Sequence, residues 1–224
     1  MNDEDKPLAY IIGDQPFLGL KIFLDSRPLI PRPETEWWTE QLLTNLGVRH
    51  PLGCLTPKLE FLDLCAGSGA IGCAALAKLS DAHVYFGEID PAHEATILKN
   101  IRENNLDETR ADIRIGDLFE PFGDMKFDVI AVNPPYIPNN RELPTSVTDY
   151  EPALALRSGA DGLDLIRRIA NTVRRRLTVN GSMWCECDSA HATTACALFA
   201  EQGLSTEILN DQYGVPRVIV TKVI

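Results

Sequence analysis

The sequence predicts an α/β fold: a Rossmann-like, mostly parallel sheet with helices on both faces. Short apolar runs alternate with helical stretches along most of the chain, which is typical of repeated β-α units. The last two apolar runs have no helix between them, so one strand should run antiparallel to the rest. With 224 residues, 45% of them hydrophobic, the chain is long enough for one such sheet with a complete core.

A short β-hairpin and one helix are predicted before the sheet. Residues 8–13 and 18–24 are apolar runs on either side of residues 14–16, which contain a proline and favour a turn. A helix should begin within residues 31–34, because proline suits the first helical turn and nearby acidic side chains complement the helix dipole. We expect this helix to end near Leu46.

Seven strands and four further helices complete the predicted fold. The strands are residues 59–64, 84–89, 113–115, 127–132, 181–187, 205–209 and 217–223. The helices are residues 70–79, 92–104, 163–177 and 190–202. We divide the chain into residues 1–50, the hairpin and helix packed on the core, and residues 51–224, the sheet domain.

Composition argues against several classes of function. Lys and Arg total 21 against 32 Asp and Glu, and this net charge of −11 weighs against a dedicated nucleic-acid binder. No apolar run is long enough to span a bilayer, and the acidic residues 1–5 show no targeting pattern. Among the six cysteines, Cys185 and Cys187 lie near His191, but a fourth zinc ligand at standard spacing is missing. We predict reduced thiols, no metal and a monomer.

A four-residue motif, Asn133-Pro134-Pro135-Tyr136, directly follows the predicted strand 127–132. The prolines fix two φ angles and remove two donors, at the strand end where open α/β sheets bind ligands. An amide oxygen and a bare carbonyl can accept two hydrogen bonds from one planar NH2 group, and Tyr136 offers a flat face to stack beside it. The motif predicts recognition of an amide or amino nitrogen; an ordinary proline turn is the alternative.

A glycine-rich loop and two acids predict a nucleoside pocket. Strand 59–64 is followed by Cys65, Ala66, Gly67, Ser68 and Gly69. Glycines let the backbone pass close to a ligand, although dinucleotide enzymes share this spacing. Glu88 ends the second strand of the sheet, where an acid can accept both ribose hydroxyls, and Asp117 follows the third. Asp63 could simply cap the loop, and Glu88 could be a solvated strand end.

Taken together, these residues resemble the HemK/PrmC family of protein-glutamine N5-methyltransferases, which methylate the glutamine of a Gly-Gly-Gln motif in translation release factors. The matching segments are residues 29–36, 63–69, 117–119, 133–138, 150–156, 159–164 and 217–218. The combination of Pro-Arg-Pro-Glu, Asn-Pro-Pro-Tyr and Tyr-Glu-Pro segments is specific to that family. With Cys65, Trp37 and Trp38, the chain most resembles fungal mitochondrial members of the family. This resemblance implies a mitochondrial location, with the cytoplasm as the alternative.

The resemblance implies a class I methyltransferase fold, S-adenosyl-L-methionine as the cofactor and a peptide chain release factor as the partner. The residues expected at the cofactor are Cys65, Ala66, Gly67, Ser68, Gly69, Glu88, Asp117, Leu118 and Asn133. Those expected to hold the substrate glutamine are Asn133, Pro134, Pro135 and Tyr136. Residues 32–35 would lie near the methionine end of the cofactor.

An amide nitrogen is a poor nucleophile, so the main task predicted for the enzyme is alignment. We expect Asn133 Oδ1 and the Pro134 carbonyl to accept the two amide protons. Tyr136 would pack on the glutamine side chain, which makes Asn133, Pro134 and Tyr136 the expected catalytic residues. No general base is expected, because the methylated product loses its proton readily to water.

Two departures from the family pattern and two rival functions stay open. The family usually carries an amino-terminal helical bundle, and few residues precede Tyr10 here. The family's Glu-Ile-Gly-x-x-Gln segment is Glu186-Cys187-Asp188-Ser189-Ala190-His191 in this chain. An adenine-N6 methyltransferase also needs two acceptors for a planar NH2 group, but it must flip a base and hold phosphates. A non-catalytic protein that keeps the cofactor site is the other alternative.

Overall fold

The computed structural model describes residues 5–49 and 58–223. The strands are β1 Asp14–Phe17, β2 Leu20–Phe23, β3 Leu59–Leu64, β4 Ala82–Glu88, β5 Ala111–Ile115, β6 Phe127–Val132, β7 Leu177–Glu186, β8 Leu204–Asn210 and β9 Pro216–Val223. The helices are α1 Leu8–Ile12, α2 Pro33–Arg49, α3 Ala70–Lys78, α4 Glu94–Glu103, α5 Thr145–Thr148, α6 Ala153–Leu156, α7 Asp164–Arg176 and α8 Ala192–Ala200. Cys54 and the proposed domain boundary at residues 50 and 51 lie outside the described residues.

The predicted seven-stranded sheet with one antiparallel strand is confirmed. Its order is β5-β4-β3-β6-β7-β9-β8, and all pairs from β5 to β7 are parallel. Strand β9 runs antiparallel to both β7 and β8, as the missing helix between the last two strands predicts. The chain order reverses at β3, which has β4 on one side and β6 on the other. Ligands bind at such a switch point in open α/β sheets.

Alternate residues of β3 feed two separate hydrophobic clusters. Phe61 packs on one face of the sheet with side chains from α2, α3, α4 and the β1–β2 hairpin. Leu62 packs on the other face with side chains from α7 and α8. Both side chains are fully buried, and burial of a side chain of this size contributes about 1.5–3 kcal/mol. Burial on both faces therefore anchors β3, whose carboxyl end lies at the switch point.

The prediction of a strand at residues 8–13 is wrong, because α1 occupies this segment. Its apolar side chains do not alternate between a buried and an exposed face, and Leu8, Ile11 and Ile12 are exposed. Gly13, with a φ of 95°, ends the helix by donating to Ala9 O. Residues 14–16 form β1 instead of a turn. The hairpin turns at Leu18 and Gly19, both with positive φ, as two-residue hairpin loops require.

Strands β3 and β6 have the bounds that the sequence predicts, and the other sheet strands and large helices differ only at their ends. The short helices α5 and α6 were not predicted, since four residues carry too little periodicity to recognise. Among the described residues, no helix has the length and apolar character needed to cross a membrane.

Candidate active site

A cavity of about 320 Å³ lies at the carboxyl ends of β3, β4 and β6. Seven of the predicted site residues line it: Cys65, Gly67, Glu88, Asp117, Leu118, Asn133 and Pro135. The sheet brings these residues together because its parallel strands end at one edge. The predicted residues Ala66, Ser68, Gly69, Pro134 and Tyr136 do not line this cavity.

Two residues of the cavity wall have a strained backbone. Cys65 has a φ of 59° and Leu118 a φ of 49°, a region that residues with a Cβ adopt at a cost of about 1–3 kcal/mol. Gly67 has a φ of 55° at no such cost. Burial and the nearby carboxylate of Glu88 raise the pKa of the Cys65 thiol, so Cys65 shapes the wall as a neutral thiol and is no nucleophile.

The rest of the glycine-rich loop is fixed by contacts with α4, β4 and β3. Asn100 on α4 donates from Nδ2 to Ser68 O at 2.8 Å and to Phe23 O at 3.1 Å. This buried asparagine fastens the loop to the hairpin, a role with no local sequence signal. A Cβ on Gly72 would lie 2.2 Å from Phe86 Cε1, so glycine lets the start of α3 approach β4. Asp63 Oδ2 accepts from Gly72 N at 2.8 Å, so it satisfies a backbone donor in the first turn of α3, directly after the loop.

The two acids of the predicted nucleoside pocket already have partners. Glu88 Oε2 accepts from Gly67 N at 2.7 Å, and Oε1 accepts from the backbone N–H groups of Ile89 and Asp90 at 2.8 Å. A carboxylate offers about four acceptor positions, so Glu88 retains roughly one, whereas the sequence predicted acceptance from both ribose hydroxyls. Asp117 Oδ2 accepts from Arg168 at 2.6 Å.

A second cavity of about 220 Å³ adjoins the first and shares Asn133 with it. Pro134 and Tyr136 line this second cavity, together with Arg32 and several apolar residues. Arg32 is ion-paired with the buried Glu151. Residues 29–36 and 150–156, noted in the sequence as separate segments, therefore meet at one wall of this cavity.

Asn133 and Pro134 present two acceptors that have no donor among the described residues. Asn133 Nδ2 donates to Thr35 Oγ1 at 3.2 Å. The other half of the amide, Oδ1, is the first of the two acceptors. The Pro134 carbonyl follows β6 and accepts no backbone hydrogen bond within residues 5–49 and 58–223. This arrangement matches the pair of acceptors expected for a planar NH2 group.

Glu186 at the end of β7 joins three side chains behind Asn133. Its Oε2 accepts from Thr35 Oγ1 at 2.6 Å and from Trp38 Nε1 at 2.8 Å, and its Oε1 accepts from Tyr136 at 3.0 Å. Burial raises the pKa of Glu186. Burial and the Glu186 charge raise the pKa of Tyr136 well above its usual value, so this phenol stays neutral. The sequence points to Glu186 only as the first residue of the segment that departs from the family's Glu-Ile-Gly-x-x-Gln pattern.

The Asn-Pro-Pro-Tyr segment is fixed from its other side by residues 156–162. Ile137 N donates to Leu156 O at 2.9 Å, and Ser158 N donates to Ile137 O at 3.0 Å. Gly162, with a φ of 80°, approaches so closely that a Cβ there would lie 2.3 Å from Tyr136 O. Backbone contacts with residues 156–162 thus hold the motif, and the sequence pattern did not predict these partners.

Within the described part of the chain, no three His, Cys, Asp or Glu side chains are grouped to hold a metal.

Comparisons with known proteins agree on one class of relative. The family model "Methyltransferase small domain" matches residues 39–149. The release factor glutamine methyltransferase of Chlamydia trachomatis serovar L2 is 34% identical over 207 residues, which cover 92% of this chain and 68% of that protein. The protein of the same name from Geobacter sulfurreducens is 35% identical over 217 residues, with coverages of 96% and 72%. The ribosomal protein uL3 glutamine methyltransferase of Bradyrhizobium diazoefficiens is 35% identical over 187 residues, with coverages of 81% and 57%.

Solved structures share the architecture at low identity. A methyltransferase from Pyrococcus furiosus has a TM-score of 0.62 at 16% identity and covers 92% of this chain and 89% of its own. The 16S rRNA N2 G1207 methyltransferase of T. thermophilus, in complex with AdoMet and guanosine, has a TM-score of 0.59 at 19% identity, with coverages of 94% and 50%. At these identities the likeness establishes a shared fold and nothing more.

Proposed function

Since this chain belongs to the release factor glutamine methyltransferase family, we propose that it transfers a methyl group to the side-chain amide nitrogen (N5) of a protein glutamine. The observation that carries the proposal is the pair of acceptors on Asn133 and Pro134, which has no donor among the described residues. Asn133 lines both cavities, so an NH2 group held there would face the cofactor site.

The chain has the class I methyltransferase fold, and membership of a methyltransferase family supports S-adenosyl-L-methionine as its cofactor. The residues of the larger cavity fit this molecule. Glu88 keeps an acceptor position for a ribose hydroxyl, Gly67 allows close backbone approach, and Leu64 and Leu118 supply apolar walls. A volume of about 320 Å³ lies in the range of small-molecule sites. When bound, the cofactor supplies a sulfonium methyl group, which is a strong electrophile.

The residues of the chain perform the alignment that the reaction needs. Asn133 Oδ1 and the Pro134 carbonyl accept the two amide protons and hold the nitrogen toward the larger cavity. Such positioning can supply up to about 7–11 kcal/mol of the barrier in ideal cases. The prolines keep both acceptors in place before substrate arrives, because their φ angles are fixed.

Proton removal needs no side chain in this scheme. Tyr136 and Glu186 are the titratable pair behind the acceptors, and they are hydrogen-bonded to each other. Because the raised pKa of Tyr136 keeps its proton on the phenol, Tyr136 acts as a neutral wall of the smaller cavity. Water takes the product's proton after methyl transfer.

The substrate we propose is the glutamine of the Gly-Gly-Gln motif in a peptide chain release factor. The relatives named for release factors support this, and the relative named for ribosomal protein uL3 makes uL3 the second candidate. A nucleic-acid adenine is disfavoured, because a net charge of −11 opposes phosphate binding. The mitochondrial location and the monomeric state stay predictions.

The deciding experiment measures transfer of labelled methyl from S-adenosylmethionine to four acceptors. These are a release factor, its Gly-Gly-Gln→Gly-Gly-Ala variant, ribosomal protein uL3 and duplex DNA. Label on the wild-type release factor alone supports the proposal. Label on uL3 alone would assign the second substrate, and label on DNA would overturn protein methylation. No label on any acceptor, with cofactor binding intact, would favour the non-catalytic alternative.

A further inference from the structure

Glu186 is a buried carboxylate that the reaction scheme above does not use. Only 1% of its surface is exposed, yet it accepts hydrogen bonds from three side chains. Two of the donors, Thr35 and Trp38, lie on α2, and the third, Tyr136, follows β6. Burying a charge is costly unless such partners satisfy it. Because these hydrogen bonds lie beside the acceptor pair, they can orient it.

Thr35 links Glu186 to Asn133 through two hydrogen bonds, and in each of them the donor and the acceptor are fixed. Thr35 has a single hydroxyl proton, and it lies on Glu186 Oε2 at 2.6 Å. Toward Asn133, Thr35 Oγ1 can therefore only accept, and it accepts from Nδ2 at 3.2 Å. A side-chain amide turned the other way would place Oδ1 against a lone pair of Thr35. Glu186 thus determines which half of the Asn133 amide faces the cavities.

We propose that Glu186 and Thr35 are positioning residues: acting as a relay, they hold Asn133 with Oδ1 toward the substrate amide. The proposal rests on the function proposed above, in which Oδ1 accepts one proton of the substrate NH2 group. Tyr136 belongs to the same arrangement, since Glu186 Oε1 fixes its hydroxyl. The relay joins α2, β7 and the residues after β6, so the docking of α2 sets the geometry of the acceptor.

Two substitutions at position 35 separate the hydroxyl from the shape of the side chain. Thr35→Val removes the hydroxyl at nearly constant volume, whereas Thr35→Ser keeps it. Thr39→Val is the matched control: Thr39 is as buried as Thr35 and on the same helix, but its hydroxyl donates to Thr35 O and does not reach the site. We expect Thr35→Val to lower kcat about tenfold, the loss of one hydrogen bond's orienting effect. Thr35→Ser should stay within about threefold of wild type.

Readouts other than turnover exclude a merely structural role. The cofactor Kd of Thr35→Val should equal that of Thr39→Val, whereas its Tm should be lower, because Thr35→Val also removes one of the three donors to the buried Glu186 carboxylate. In ¹⁵N-labelled protein, the side-chain amide hydrogens of Asn133 should exchange with solvent about tenfold faster in Thr35→Val than in wild type, because their acceptor is gone. Thr39→Val should leave this exchange unchanged.

A double-mutant cycle tests whether Thr35 acts through Asn133. In an Asn133→Ala background, Thr35→Val should have no further effect on kcat, because the relay then has nothing to orient. Losses that multiply would overturn the relay. If wild-type enzyme methylates no glutamine, the proposed function fails, while the amide exchange still tests the relay. Equal exchange in wild type and Thr35→Val would overturn the relay whatever the substrate.

Discussion

Replacing Asn133 by alanine is the most direct perturbation of the proposed chemistry. The substitution removes Oδ1, one of the two acceptors, and leaves the Pro134 carbonyl in place. Asn133 is only half-buried, so water can reach the Thr35 hydroxyl left behind and the stability cost should be small. A preorganised contact to the reacting group is worth about 2–4 kcal/mol, which corresponds to a fall of ~30- to 1,000-fold in kcat.

The effect should fall on kcat more than on KM. The second cavity and the Pro134 carbonyl still bind the glutamine side chain, but its nitrogen is no longer held in line. The assay is labelled-methyl transfer to the release factor under initial-rate conditions, with cofactor Kd from calorimetry and Tm measured on the same preparations. Asn140→Ala, an exposed asparagine of the same segment, is the matched control and should keep wild-type rates.

A fall in kcat of less than about fivefold for Asn133→Ala, with cofactor Kd and Tm unchanged, would refute alignment by Oδ1. Such a result would mean that Oδ1 does not touch the reacting amide. A fall that tracked a weakened cofactor Kd would instead assign Asn133 to cofactor binding, since it also lines the larger cavity.

Three further predictions concern the walls of the site. Glu88→Gln should raise the cofactor Kd about tenfold or more, because the amide cannot accept from all three backbone donors and also from a ribose hydroxyl; calorimetry that shows an unchanged Kd would contradict this. Gly162→Ala should lower both Tm and kcat, since its Cβ would lie 2.3 Å from Tyr136 O, whereas Gly214→Ala, with a similar φ and nothing within 4 Å, should lose only Tm. Burial raises the pKa of Asp63, so its contribution to stability is full at low pH and is lost as pH rises. Wild type should therefore lose unfolding free energy relative to Asp63→Asn from about pH 4 upward, and parallel denaturation curves across pH would contradict the shift.

The sheet could be predicted from the sequence because each strand carries its own signal. β3 and β6 are mostly apolar runs with clear boundaries, and the sequence predicts both with the observed bounds. Where the local signal was ambiguous, prediction failed. Residues 8–13 are apolar throughout, so periodicity did not distinguish a strand from the helix α1, and the exposure of Leu8, Ile11 and Ile12 could not be read from the sequence.

By itself, the sequence determined the fold class, the glycine-rich loop and the Asn-Pro-Pro-Tyr motif, because these depend on residues adjacent in the chain. The tertiary structure alone decided how the motif is held. Thr35 and Glu186 are 151 residues apart and meet because α2 packs across the end of β7. It also decided that Glu88 is mostly occupied by backbone donors. Such contacts depend on how whole helices and strands pack. The pattern of residues along one chain does not show which distant side chains this packing brings into contact.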